Sequence, residues 1–107
     1  MSKVFESLRK LVRRGEVRIS DHGYDELAAD GIAVRDIIAG LDEAVIAEDY
    51  PEYRKGPCVL VLQKDRDGSP IHVVWGIPRN ADTPAVVVTA YRPTLDRWMP
   101  DYLRRKQ

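Results

Sequence analysis

A run of β-branched residues near the C-terminal end of the chain restricts the fold more than any other stretch. Val86, Val87 and Val88 are consecutive, a pattern typical of a strand buried on both faces. Pro84 and Pro93 stand on either side of this run. Because proline has no backbone N–H to donate to a sheet, the strand is expected to lie between the two prolines.

The first forty residues show helical periodicity. A first helix is expected from a cap at Ser2 to a stop at Gly15, and a second from a cap at Ser20 or Asp21 to about Asp30. The apolar face of a third, shorter helix is formed by Val34, Ile37, Ile38 and Leu41.

From Glu43 onward the period changes to two, which predicts strands over 44–50, 58–63 and 71–75 before the valine-rich strand. Asp67-Gly68 predicts a tight hairpin turn, and the short connections favour antiparallel neighbours. Residues 17–19 alternate briefly, as in a very short strand, and a short final helix is expected after Thr94. The expected fold is therefore α+β: N-terminal helices packed on a curved four-stranded antiparallel sheet, with a short C-terminal helix, in a single domain over 1–107.

Composition excludes several classes of protein. Seventeen basic and seventeen acidic residues cancel, which argues against a strongly basic nucleic-acid binder but leaves room for a local basic patch. Cys58 is the only cysteine, so no intrachain disulfide can form. No apolar run approaches about 20 residues and no signal peptide is evident, so a cytoplasmic protein without a membrane span is expected. Glycine-rich phosphate-binding loops are also missing, and no cofactor is expected.

Two histidines, His22 and His72, are the side chains that titrate near neutral pH without perturbation. If the third and fourth strands pair, His72 shares a face with Thr89 and Tyr91, in a register that the sequence does not determine. The hypothesis is a metal-independent acid–base site in one solvent-open hollow, in which a histidine moves protons, Arg92 holds a phosphate and Tyr91 orients it. Each of these side chains also suits a purely structural role. His72 would then be a strand histidine hydrogen-bonded to a neighbour, and His22 a side chain at the cap of a helix. Tyr91 and Arg92 would be a structural pair at the end of a strand.

Two further alternatives follow from the same residues. Both histidines with Glu48 or Asp49 could ligate a metal, but the sequence has no recognised ligand spacing, so no metal site is expected. A homo-oligomer is the other alternative, with Trp75 or Trp98 buried at its interface.

The order of several motifs resembles the family described as domain of unknown function 4258. The motifs are Ser20-x-His22, Gly40, Glu48-Asp-Tyr-Pro51, Pro70-Ile-His72-Val-Val, and Val88-Thr-Ala-Tyr-Arg-Pro93 before Trp98. The resemblance spans roughly residues 17–98. Gly23 departs from it, since an alanine is expected after the histidine; this costs helix stability but removes no chemical group.

That family is similar in layout to small toxins of the RelE and ParE kind. The resemblance implies a ribonuclease of a toxin–antitoxin system, which cuts RNA through attack by the ribose 2′-hydroxyl and has RNA and an antitoxin protein as partners. His22 and His72 would then transfer protons, with Tyr91 and Arg92 at the phosphate. Thr89 and Arg18 complete the set as substrate-binding candidates. The alternative function is a non-catalytic module that binds a protein or a small anion.

Overall fold

The computed structural model describes residues 2–107, which form an α+β fold. Its elements are α1 (Lys3–Arg13), β1 (Val17–Ile19), α2 (Asp21–Asp30), α3 (Val34–Gly40), β2 (Val45–Tyr50), β3 (Cys58–Lys64), β4 (Pro70–Gly76) and β5 (Ala85–Tyr91). A 3₁₀ turn, Leu41–Glu43, connects α3 to β2. The expected helix caps form, since the Ser2 hydroxyl accepts from the amide of Phe5 and the Ser20 hydroxyl accepts from that of Gly23. None of these helices has the length and apolar character needed to cross a membrane.

The prediction of a four-stranded antiparallel sheet is wrong in one respect. The sheet has five strands in the order β1-β5-β4-β3-β2, and β1 runs parallel to β5 while the other pairs are antiparallel. The Ser20 amide donates to the Val87 carbonyl, and the Ala85 amide donates to that of Glu16. Because β1 has only three residues and its partner lies far along the chain, local periodicity could not show that it joins the sheet.

The predicted C-terminal helix does not form. Residues 94–107, hereafter the C-terminal loop, make turns that are closed by an antiparallel bridge between Trp98 and Arg105. The Met99 amide donates to the carbonyl of Arg104 within this loop. Pro100 interrupts any helix, and Tyr102 has a positive φ of 57°, which no α-helical residue adopts.

The two faces of the sheet have different surroundings. The helices cover one face, and the core there includes Val59, Val61, Ile71, Val73, Trp75 and Val87. Side chains of the opposite face, hereafter the outer face, include Cys58, Leu60, His72, Val74, Val86 and Val88. Val88 is 39% exposed, so the expectation that its strand is buried on both faces is wrong at this position.

Gln63 is a buried polar residue that joins the helices to the sheet. Its side chain is 2% exposed; its Nε2 donates to the carbonyl of Ile37 at 2.8 Å and its Oε1 accepts from the Trp75 indole N–H at 2.9 Å. A Cβ added at Gly40 would lie 2.9 Å from this Nε2, so a glycine in α3 makes room for the contact.

We expect Gln63→Met to lower the free energy of unfolding by about 1–3 kcal/mol, because the indole N–H and a carbonyl lose their buried partners. Lys64→Met introduces the same side chain at the next, exposed position and should change stability by less than about 0.5 kcal/mol. Urea denaturation measures both variants. Equal stabilities of the two variants would show that the Gln63 hydrogen bonds contribute nothing.

Candidate functional site

His72 lies on β4 and has no solvent-exposed surface. Its Nε2 is 2.7 Å from the carbonyl oxygen of Tyr102, and its Nδ1 is 3.1 Å from the Tyr91 hydroxyl. Because a carbonyl only accepts, Nε2 carries the proton, and in the neutral ring Nδ1 accepts from the tyrosine O–H. Both ring nitrogens are therefore satisfied, one by β5 and one by the C-terminal loop.

Aromatic rings enclose the imidazole. Trp98 packs edge-to-face on it with centroids 4.4 Å apart, and Tyr91 does the same at 5.3 Å. Burial lowers the pKa of His72 below its ordinary value. The hydrogen bond to Tyr102 and the negative charge of Glu48 raise the pKa, but they offset only part of the effect of burial. His72 is therefore neutral at pH 7.

A second group of polar side chains lies beside this histidine at the end of β2. Arg105 of the C-terminal loop binds Glu48 through two hydrogen bonds, Nε to Oε2 at 2.7 Å and Nη2 to Oε1 at 2.9 Å, and the Tyr50 hydroxyl donates to Oε1 at 2.6 Å. The Arg105 hydrogen bond is the main reason that the pKa of Glu48 is lowered. The same guanidinium lies 4.8 Å from the ring centroid of Trp98.

These contacts join two sets of residues. Glu48, Tyr50, His72 and Tyr91 belong to the sheet and are hereafter the covered cluster. Trp98, Tyr102 and Arg105 belong to the C-terminal loop and cover His72 and Glu48, whereas Tyr50 at the edge stays 43% exposed.

Two of the four predicted catalytic residues come together, and two lie elsewhere. The Arg92 backbone amide and Nε donate to Asp30, and its Nη1 donates to Asp65 at 3.1 Å, so this side chain ties α2 to the β3–β4 turn. His22 is exposed on α2, with its Nε2 3.6 Å from a Glu26 carboxylate oxygen. The expectation of one solvent-open hollow is therefore wrong: Arg92 shares no contact with His72, and the imidazole is sealed.

The outer face also carries an open groove next to the covered cluster. The groove has a volume of about 350 Å³, and its lining includes Arg18, Tyr53, Lys55, Val74, Val86 and Val88. No lining residue is acidic, and the side chains of Arg18 and Lys55 make no hydrogen bond or ion pair within residues 2–107. We call this feature the outer groove. Thr89 is half-buried and pairs with Val74, so this substrate-binding candidate lies between the outer groove and Tyr91.

The family model for "Domain of unknown function (DUF4258)" matches residues 19–92. The chain belongs to this family. No curated protein and no solved structure matches it significantly. Every residue of the covered cluster lies within the part matched by DUF4258, whereas the C-terminal loop that closes the cluster lies beyond it.

Sequence reasoning missed several residues around these two features. Glu48 is considered only as a metal ligand, and Tyr50 is not considered as a site residue. The two stand two apart at the end of a strand, and this spacing indicates that they share a face. Lys55 and Tyr53 lie in an irregular connection whose path the sequence does not predict. No local pattern connects Arg105 with Glu48, because the two residues are 57 positions apart.

We expect the stability of the protein to fall as the pH is lowered from 7.5 to 5.5. The folded-state pKa of His72 lies below its unfolded value, so below about pH 6.5 the unfolded chain binds the proton first and is favoured. Carboxylates such as Glu48, whose pKa is also lowered, lose their contribution only at more acidic pH.

The variant His72→Phe should show a flatter pH dependence over this window. It should also be about 1–3 kcal/mol less stable at pH 7.5, because the Tyr91 and Tyr102 groups lose a buried partner. His22→Gln, which removes the exposed histidine, should keep the wild-type slope. Urea denaturation at each pH measures all three proteins; a slope that survives His72→Phe would contradict this assignment.

Proposed function

We propose that this protein binds single-stranded RNA in the outer groove. The observation that supports the proposal is the convergence of two cations without protein partners, Arg18 and Lys55, on an apolar groove that has no acidic residue. A cation that forms no ion pair within the protein is available to a phosphate, and Arg can bind two phosphate oxygens at once.

The groove also offers surfaces that suit a nucleobase. Val74, Val86 and Val88 provide an apolar floor, and the ring of Tyr53 is 51% exposed at the rim. Aromatic rings bind unpaired bases by stacking, which every base permits, whereas the bases of a duplex are already paired and cannot enter a groove. The side chain of Thr89 is next to this floor, where its hydroxyl can reach a ribose.

The zero net charge of the chain agrees with a binding site that contacts only a few phosphates of the RNA. Long-range attraction of a polyanion needs an overall basic surface, which this chain does not have. Binding through two local cations instead predicts a shallow salt dependence, with a slope of about −0.7 per phosphate neutralised on a single strand. The choice of RNA over DNA follows the resemblance to RelE- and ParE-like toxins, which is an analogy of layout.

A toxin-like ribonuclease is the second candidate function. It is favoured by one observation, the presence of a carboxylate and an imidazole in the covered cluster on the same face as the outer groove. In the closed arrangement no substrate can reach His72. Cleavage, an antitoxin partner and self-association therefore stay predictions, and RNA binding is the function that the open surface supports directly.

We expect Arg18→Ala and Lys55→Ala each to weaken RNA binding about tenfold, because each removes a charge-assisted hydrogen bond of about 1.5 kcal/mol. Tyr53→Ala should cause a similar loss through the missing stacking contact. The measurement is fluorescence anisotropy with a labelled twelve-nucleotide RNA without secondary structure, at several salt concentrations.

Arg35→Ala is the matched control, because Arg35 is an exposed cation on α3, on the helix-covered side of the sheet. It should leave the affinity unchanged. Equal losses in Arg35→Ala and Arg18→Ala would show that binding depends on general charge and not on the outer groove. Wild-type protein that does not bind the RNA at low salt would refute the proposal altogether.

A further inference from the structure

We infer that Glu48 and His72 form an acid–base site for RNA cleavage, and that the C-terminal loop keeps this site closed. The inference rests on the proposed binding of RNA to the same face of the sheet. It adds a catalytic carboxylate, a reaction and a mode of regulation to that proposal.

The sheet register places the two groups on one face. Glu48 on β2 pairs with Leu60 on β3, and Leu60 pairs with Val74 on β4. Val74 and His72 are two residues apart on the same strand, so all four side chains lie on the outer face. The carboxylate and the imidazole are thus separated by one intervening strand. Neither lines the outer groove, but Val74, which does, is two residues from His72 on β4 and pairs with the β3 residue that pairs with Glu48.

The loop occupies the functional atoms of both groups. Arg105 donates hydrogen bonds to both carboxylate oxygens of Glu48. The Tyr102 carbonyl accepts a hydrogen bond from Nε2–H of His72. Trp98 covers the imidazole ring, which leaves it without exposed surface. While these contacts persist, neither group can exchange a proton with a substrate.

The loop is attached to the sheet through three residues, Trp98, Tyr102 and Arg105, of which Trp98 is buried. Most of its residues are exposed, and apart from the Trp98–Arg105 bridge it has no regular structure. Tyr102, which bonds His72, has a φ of 57°, a left-handed conformation that is unfavourable for a side chain of this size. The ion pair between Arg105 and Glu48 lies at the surface, since the Arg105 side chain is exposed to solvent. These features suit a cover that can be displaced without disturbing the core.

Displacement of the loop changes the chemistry of both groups. Glu48 loses the cation that lowers its pKa, and His72 gains solvent, which removes the main cause of its lowered pKa. The Glu48 carboxylate is then free to accept a proton as a general base, and the pKa of His72 returns toward the ordinary value of an imidazole, near neutral pH. Tyr91 and Tyr50 stay on the sheet, beside His72 and Glu48 respectively.

The reaction is a transphosphorylation within the RNA strand. The Glu48 carboxylate accepts the proton of a ribose 2′-hydroxyl, and the 2′-oxygen forms a bond to the adjacent phosphorus. The bond from that phosphorus to the 5′-oxygen breaks, and the protonated imidazole of His72 gives its proton to the departing oxygen. The products are a 2′,3′-cyclic phosphate and a 5′-hydroxyl, with one proton taken up and one released.

The test compares full-length variants in which the loop is loosened. Trp98→Ala/Arg105→Ala removes the ring over His72 and the cation on Glu48. It should cleave a fluorophore–quencher RNA at least tenfold faster than wild type, and mass spectrometry should find 2′,3′-cyclic phosphate ends. A DNA strand of the same sequence has no 2′-hydroxyl and should stay intact.

Arg104→Ala is the matched control, because Arg104 is a cation of the same loop that pairs with Asp101 and not with Glu48. It should cleave at the wild-type rate. Adding Glu48→Gln or His72→Phe to the loosened variant should return cleavage to background. Circular dichroism and anisotropy with the same RNA verify that each variant is folded and still binds.

The outcomes separate this inference from the proposed function. A loosened variant that binds RNA but cleaves it no faster than wild type would overturn the inference and leave RNA binding in place. Cleavage that persists after Glu48→Gln would place the chemistry elsewhere and also overturn it. Should the loosened variant fold poorly, Trp98→Leu/Arg105→Ala, which keeps an apolar side chain at position 98, must still raise the rate above that of Arg104→Ala. Cleavage without binding at the outer groove would instead refute the proposed function.

Discussion

The two hydrogen bonds of one buried imidazole determine how the outer face of this protein is organised. His72 needs a partner at each ring nitrogen because an unsatisfied polar group in the interior is costly. One partner, the Tyr91 hydroxyl, comes from the neighbouring strand, and the other, the Tyr102 carbonyl, comes from the far end of the chain. The C-terminal loop is therefore needed to satisfy His72, and its position covers the part of the outer face around His72 and Glu48.

This requirement divides the outer face into a closed part and an open part. In the closed part a carboxylate, two phenols and an imidazole are paired among themselves or with the loop. In the open part Arg18 and Lys55 have no partner within the described residues, and the apolar floor is accessible. These two cations beside an apolar groove are the basis on which we propose that the outer face binds an external anion.

The region matched by the DUF4258 family model ends close to the point where the sheet ends and the C-terminal loop begins. The family match ends at residue 92, and the C-terminal loop begins at residue 94. The groups that can carry chemistry thus belong to the shared part, and the groups that cover them belong to the part outside it. In the regulation that we infer, a segment outside the family match therefore closes a site that lies inside it.

The three N-terminal helices, the four antiparallel strands and the hairpin at Asp67-Gly68 follow from the sequence alone, because caps, periodicity and turn residues are local signals. The sequence left the register of β4 and β5 open, so the pairing of His72 with Tyr91 comes from the structure. It did not determine that β1 joins the sheet, that Arg92 turns to Asp30 and Asp65, or that the last residues fold back over His72. Those features depend on contacts between residues 26 to 68 positions apart, which leave no local pattern. Only the tertiary structure decided whether the histidine is open or closed, since burial is a property of what packs against a side chain and not of its neighbours along the chain.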